Sequence, residues 1–198
     1  MASRSRSLIG DPVRLRALAH PIRLDLLERL ATDGPLTATE AGARIGQSSG
    51  STSFHLRQLE RYGFVEAVPG VSGRQKPWRL AVRGFSWFRD DGTLAADVEE
   101  EASELARTGA AVSTMVLQRA VDDAGAWLEA AADEEGPWVG AGEVTSRVRA
   151  LRPEQLRDLA AEVSAVLDRY DDVAAGDDPA ARRVRIAFVS VPISEKRV

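Results

Sequence analysis

The stretch from Thr37 to Val65 constrains this chain more than any other. Thr37-Ala38-Thr39-Glu40 has the spacing of a capping box, in which a threonine hydroxyl and a glutamate carboxylate satisfy each other's backbone amides. A short helix therefore starts at Thr37, turns Ala41 and Ile45 inward and stops at Gly46. Gly46-Gln47-Ser48-Ser49-Gly50 reads as a turn. Another helix begins near Ser49 or Gly50 and runs to Tyr62, with Phe54, Leu56 and Leu59 as its apolar positions and Gly63 as its stop.

The flanks extend the pattern. Asp11-Pro12 offers a carboxylate N-cap and a proline at the first helical position, where a missing N–H costs nothing. Val13, Leu15, Leu18 and Ala19 follow. Pro21 disfavours helical geometry at His20, so the chain breaks there and restarts as a helix from Pro21 to about Ala31. Asp33-Gly34-Pro35 ends that helix. Beyond Gly63, Phe64–Val68 and Pro77–Val82 alternate as two short strands around the turn-rich 69–76 segment. Three helices, a turn, a fourth helix and a hairpin are the order of a winged helix-turn-helix.

Two blocks carry a family resemblance. Arg16-Ala-Leu-Ala-His-Pro-Ile-Arg-Leu-Asp-Leu-Leu27 resembles the opening of ArsR-type winged-helix transcriptional regulators. Ser51-Thr-Ser-Phe-His-Leu-Arg-Gln-Leu-Glu-Arg-Tyr-Gly-Phe-Val65 is similar to that family's recognition helix. The match spans about residues 12–84 and implies a DNA-binding regulator. It also implies that Ser51, Ser53 and His55 occupy positions that often face DNA, with Gly50 replacing a common proline.

Charge agrees with a polyanion partner at one end. Residues 1–89 hold 14 basic and 7 acidic side chains, whereas residues 90–198 hold 12 and 23. At the start of a recognition helix, Ser48, Ser49, Ser51, Thr52 and His55 are small or planar groups suited to base edges. Thr52, Leu56 and Leu59 read as inward positions, which leaves His55 on the outer face, while Phe54 and Leu56 hold the core side. Arg57 and Arg61, further along, suit phosphates, and Arg74, Gln75 and Lys76 on the hairpin tip suit phosphate or minor-groove contact. The competing readings are a serine-rich helix cap and a solvated basic turn. His20, at a helix junction, reads as structural.

The second half is acidic. From Thr93 to Ala132, apolar residues from Leu94 to Ala131 recur every three or four positions, which predicts one long helix with a role in packing between subunits. Val144–Leu151 and Arg183–Val191 alternate as strands. Between them, Pro153 introduces a helix to about Tyr170 with Leu156, Leu159, Val163 and Leu167 as its stripe, and 171–178 is an acidic linker. The resulting expectation is an α+β chain: a winged helix-turn-helix, a long helix and a small C-terminal α/β module. Its domains are a basic flexible arm over 1–10, a DNA-binding domain over 11–89, and an acidic dimerisation and effector domain over 90–198.

Composition removes other classes. The chain has no cysteine and two histidines, so thiolate metal sites, cysteine nucleophiles and transition-metal sensing lack ligands. The acidic pairs at 90–91, 122–123 and 177–178 do not follow calcium-loop spacing. Gly136–Gly142 lacks the glycine spacing of a nucleotide loop. No cofactor and no metal are expected, and Trp78, Trp87, Trp127 and Trp138 are candidates to line a pocket for a small-molecule effector. Neither a secretory signal nor a run long enough to span a bilayer is present, which predicts a cytoplasmic protein without a membrane partner. The function expected is a homodimeric repressor that reads an inverted repeat in double-stranded DNA and has no enzymatic activity. The alternatives are an adaptor that keeps the winged helix without binding DNA, and a hydrolase, for which no positioned acid–base pair speaks.

Overall fold

A computed structural model describes residues 7–70, 76–82, 84–88, 93–170 and 180–193. The chain divides into two units, residues 1–116 and 117–198.

The first unit is built as its start and stop signals dictate. Helix α1 (Pro12–Arg16) is capped by Asp11, whose Oδ1 accepts a 2.8 Å hydrogen bond from the Val13 amide. His20 is extended, with φ −152° and ψ 126°, so the chain breaks before α2 (Pro21–Thr32). Both halves of the capping box form at α3 (Ala38–Ile45): the Glu40 amide donates to Thr37 Oγ1 at 3.2 Å and the Thr37 amide to Glu40 Oε2 at 2.8 Å. The reciprocal bond from the Thr37 amide is the main reason the Glu40 carboxyl titrates below its usual range. Gly46 takes the left-handed conformation, φ 66°, that ends the helix. Helix α4 (Ser49–Arg61) follows, with Ser48 as its N-cap accepting from the Ser51 amide at 3.2 Å.

The antiparallel pair β2 (Val65–Ala67) and β3 (Trp78–Leu80) makes the wing's base, in the register Val65 to Leu80 and Ala67 to Trp78. Leu36 joins it through paired backbone bonds with Trp78, at 3.0 and 2.7 Å. The tip, with Arg74 and Gln75, lies outside the described residues.

The N-terminal segment departs from the expected flexible arm at its inner end. Residues 1–6, including Arg4 and Arg6, lie outside the described residues, but β1 (Ser7–Leu8) pairs in parallel with β4 (Phe85–Ser86). Ile9 is fully buried. The cause is composition: Leu8-Ile9 is apolar, and Ile9 fills the core beside Leu15, Leu18, Leu26, Leu56, Leu59 and Phe64. Arg14 closes this side, its Nε donating to the Tyr62 carbonyl at 2.9 Å and its guanidinium lying 5.2 Å over the Phe64 ring.

Helix α5 (Glu99–Ala130) starts later than the periodicity predicts. Before it, Leu94 bridges Phe88 and the Ala95 amide donates to the Trp87 carbonyl at 2.9 Å, so backbone pairing replaces the first helical turn. Glu99, Glu100 and Glu101 then sit where the helix dipole favours anions. Leu105, Gly109 and Val112 are its buried residues. Gly109 lies under the Trp87 indole: a Cβ there would stand 2.5 Å from Trp87 Nε1.

In the second unit, α6 (Pro153–Asp168) forms where predicted, but of its expected stripe Leu156, Val163 and Leu167 are half-buried and Leu159 is exposed, and none of its residues is fully buried. The two expected strands do not form. Residues 144–151 and 183–191 join no ladder among the described residues, because neither lies beside a hydrogen-bonding neighbour. What holds the second segment is a set of side-chain contacts to residues 42 to 62 positions earlier in the chain. Arg182 clasps Glu134 through both guanidinium nitrogens, at 2.7 and 3.1 Å, and stacks 5.1 Å over Trp138. Trp138 Nε1 donates to the Ala180 carbonyl at 3.1 Å, and Arg185 pairs with Asp123. The α+β class with its helix-turn-helix and long helix stands; the C-terminal sheet does not.

Candidate nucleic-acid interface

The side of α4 facing the core is set by Thr52, His55, Leu56 and Leu59, all buried. At 100° per residue the opposite face is Gly50, Phe54, Arg57 and Arg61. All four are exposed.

Two expected contact residues are corrected by this geometry. Thr52 has no exposed surface, and its hydroxyl donates to the Ser48 carbonyl at 2.9 Å. It lies in the close approach of α3 to α4, where a Cβ on Gly42 would come within 2.8 Å of Thr52 Oγ1 and 2.7 Å of the Gln47 carbonyl oxygen. Glycine is what lets the two helices meet there. His55 is also inside, 8% exposed, with its ring 4.5 Å from that of His20 and 5.2 Å, edge-on, from Phe54. Its outward placement fails by about one residue of helical phase: Leu56 and Leu59 centre the buried stripe so that it widens toward His55 rather than toward Phe54. Burial, then the neighbouring His20 and Arg23, hold the His55 imidazole below its ordinary pKa.

Phe54 moves the opposite way. Expected on the core side, it is 56% exposed and stands between Gly50 and Arg57 on the outer face. A helical wheel centred on the expected inward positions Thr52, Leu56 and Leu59 puts Phe54 on the opposite face and would have found it.

The remaining expected residues fall into two groups. Ser48 and Ser49 are exposed at the N-terminus of α4, and Ser51 and Ser53 are half-buried beside them. Arg57 is exposed and steadied by an Nε bond to the Ser53 carbonyl at 3.1 Å, while Arg61 lies 5.7 Å over the Tyr62 ring. Lys76 is exposed where the wing returns to β3. Chemically, this face presents hydroxyls and helix amides at one end and guanidinium groups along its length, which suits an anionic, hydrogen-bonding surface.

The tryptophans are engaged elsewhere. Trp78 bridges Leu36, Trp87 covers Gly109, Trp127 lies against Gly142, and Trp138 holds Ala180. An open cleft lined by Gly10, Asp11, Pro12, Ala95, Asp97 and Glu101 contains none of them. Among the described residues, no group of three or more histidine, cysteine, aspartate or glutamate side chains is placed to hold a metal ion, and no helix is long and apolar enough to cross a membrane.

Residues 18–68, which run from the end of α1 through β2, match a family model described as a helix-turn-helix domain. This segment is a helix-turn-helix. No curated protein matches the chain. Among solved structures, a transcriptional regulator from Thermotoga maritima shows 12% identity over 76% of this chain and 77% of its own, with a TM-score of 0.28.

Proposed function

We propose that this chain is a sequence-specific DNA-binding transcriptional regulator. The observation that carries the reading is the outer face of α4, where Arg57 and Arg61 stand exposed behind a serine-rich helix N-terminus in a helix-turn-helix. In this reading residues 11–89 are the DNA-binding domain and 90–198 the acidic dimerisation and effector domain. Ser48, Ser49 and Ser51 meet base edges or phosphates at the mouth of the groove, and Arg57, Arg61, Lys76 and the wing-tip Arg74 and Gln75 anchor the backbone.

The regulator acts as a homodimer and a repressor of the ArsR type, in the cytoplasm, with no catalytic role. Support for the dimer comes from α5, about 48 Å long at 1.5 Å per residue. Its second half exposes Val121 and Leu128, at 64% and 57%. A second copy would cover them. Metal sensing is not part of the reading, since there is no cysteine and the chain has two histidines, both of which lie beside Arg23.

Selection of bound duplexes from a random library tests it. A recovered inverted repeat whose affinity falls as salt rises is the expected result. Recovery of no preferred duplex, with salt-independent residual binding, would overturn it.

A further inference from the structure

The centre of the outer face of α4 is occupied by a side chain with no hydrogen-bonding capacity. Phe54 is 56% exposed, while the residues on its own turn that could have covered it, Gly50 and Arg57, lie before and behind it on the same face. A Cβ at Gly50 would have nothing within 4 Å, so the helix surface one turn before Phe54 is uncovered. Arg57 is turned back toward the helix by its bond to the Ser53 carbonyl. The ring itself is steadied from below, edge-on to the buried His55 at 5.2 Å and 79°. A single exposed apolar residue is ordinary on a protein surface. This one differs by position, since it lies in line with Arg57 and Arg61 on the face assigned to DNA.

A benzene ring brought into the major groove meets mostly hydrogen-bonding edges, which it would desolvate at a cost. The exception is the C5-methyl group of thymine, the apolar group that the four base pairs present there. From this we infer that Phe54 is a specificity-determining residue that packs on a thymine methyl in the major groove and selects an A·T pair at that step. The inference rests on the DNA-binding reading and adds to it the base class read at the middle of the helix.

The experiment uses the full chain, its selected duplex, and copies of that duplex in which each thymine is replaced singly by deoxyuridine, which removes the methyl and leaves every hydrogen bond. Binding is measured for the parent, Phe54→Ala and Phe54→Gln, with thermal melting to show that each variant folds. Removing the methyl at one position per half-site should weaken the parent about fourfold, the value for burying one such group. Both variants should bind thymine and uracil duplexes alike. If the parent tolerates every substitution, or the variants keep its discrimination, Phe54 does not read a methyl group although DNA binding stands. If the parent selects no duplex, the DNA-binding reading itself falls and this assignment with it.

Discussion

The imidazole rings of His20 and His55 stand 4.5 Å apart, tilted by 44°, where the start of α2 meets α4. Nδ1 of both rings and Nε of Arg23 are buried without a hydrogen-bond partner among the described residues. Three buried nitrogens therefore share one site. Burial first, then Arg23, lowers the pKa of His20; burial, His20 and Arg23 lower that of His55.

Stability should therefore fall on mild acidification. The unfolded chain takes up protons near the ordinary histidine value of about 6.5, while the folded chain resists until lower pH. Between those points the unfolded state binds more protons, so unfolding becomes easier as pH drops. Urea midpoints should be constant above about pH 7 and decline as the pH falls below the ordinary histidine value of about 6.5. His20→Asn combined with His55→Gln should flatten that decline. An equal decline in the double variant would assign it to other groups.

Alanine at Gly109 sets two effects against each other. Helix propensity favours alanine by about 1 kcal/mol. The new Cβ, however, would sit 2.5 Å from Trp87 Nε1 and 2.8 Å from its Cε2. Overpacking of this kind costs about 1–3 kcal/mol, so net destabilisation by denaturant unfolding is the expected outcome. Adding Trp87→Leu should recover part of the loss relative to Trp87→Leu alone. Stabilisation by Gly109→Ala would mean that the indole moves aside freely.

Arg57→Ala and Arg61→Ala should weaken cognate and scrambled duplexes alike and make the salt dependence shallower by about one unit per lost phosphate contact. Thr52→Val should behave differently. Its buried hydroxyl donates to the Ser48 carbonyl, so its loss should cost about 1 kcal/mol of folding stability without changing base preference. A shift in operator sequence caused by Thr52→Val would contradict its placement in the core.

Charge on the exposed half of α5 tests assembly. Val121→Glu together with Leu128→Glu should convert a dimer to a monomer in light scattering, while far-ultraviolet dichroism stays unchanged. A dimer that survives both substitutions must be held by another surface.

Much of the first unit was legible because its signals are local. A capping box, a proline after His20 and glycines at 46 and 63 act on the backbone within a few residues, and the helices start and stop close to those marks. The strand readings at 144–151 and 183–191 relied on alternation, which says that a segment suits a sheet but not that a neighbour exists. Helix α4 shows a third case. Phe54, His55 and Leu56 are consecutive, so a phase error of one residue exchanged the inner and outer members of the site. Hydrophobicity misled there because an aromatic residue stands outside and a titratable one inside.

The parallel pairing of Ser7 with Phe85 and Leu8 with Ser86 also has a consequence in time. Strand β1 leaves the ribosome before its partner, which follows 78 residues later. At about 5–20 residues per second, Ile9 waits roughly 4–16 s before the strand beside it can be made. During synthesis the helices between them can form from local contacts, but closure of the domain must come after the wing. A chain stalled before residue 85 would carry a helix-turn-helix whose N-terminal strand has no partner.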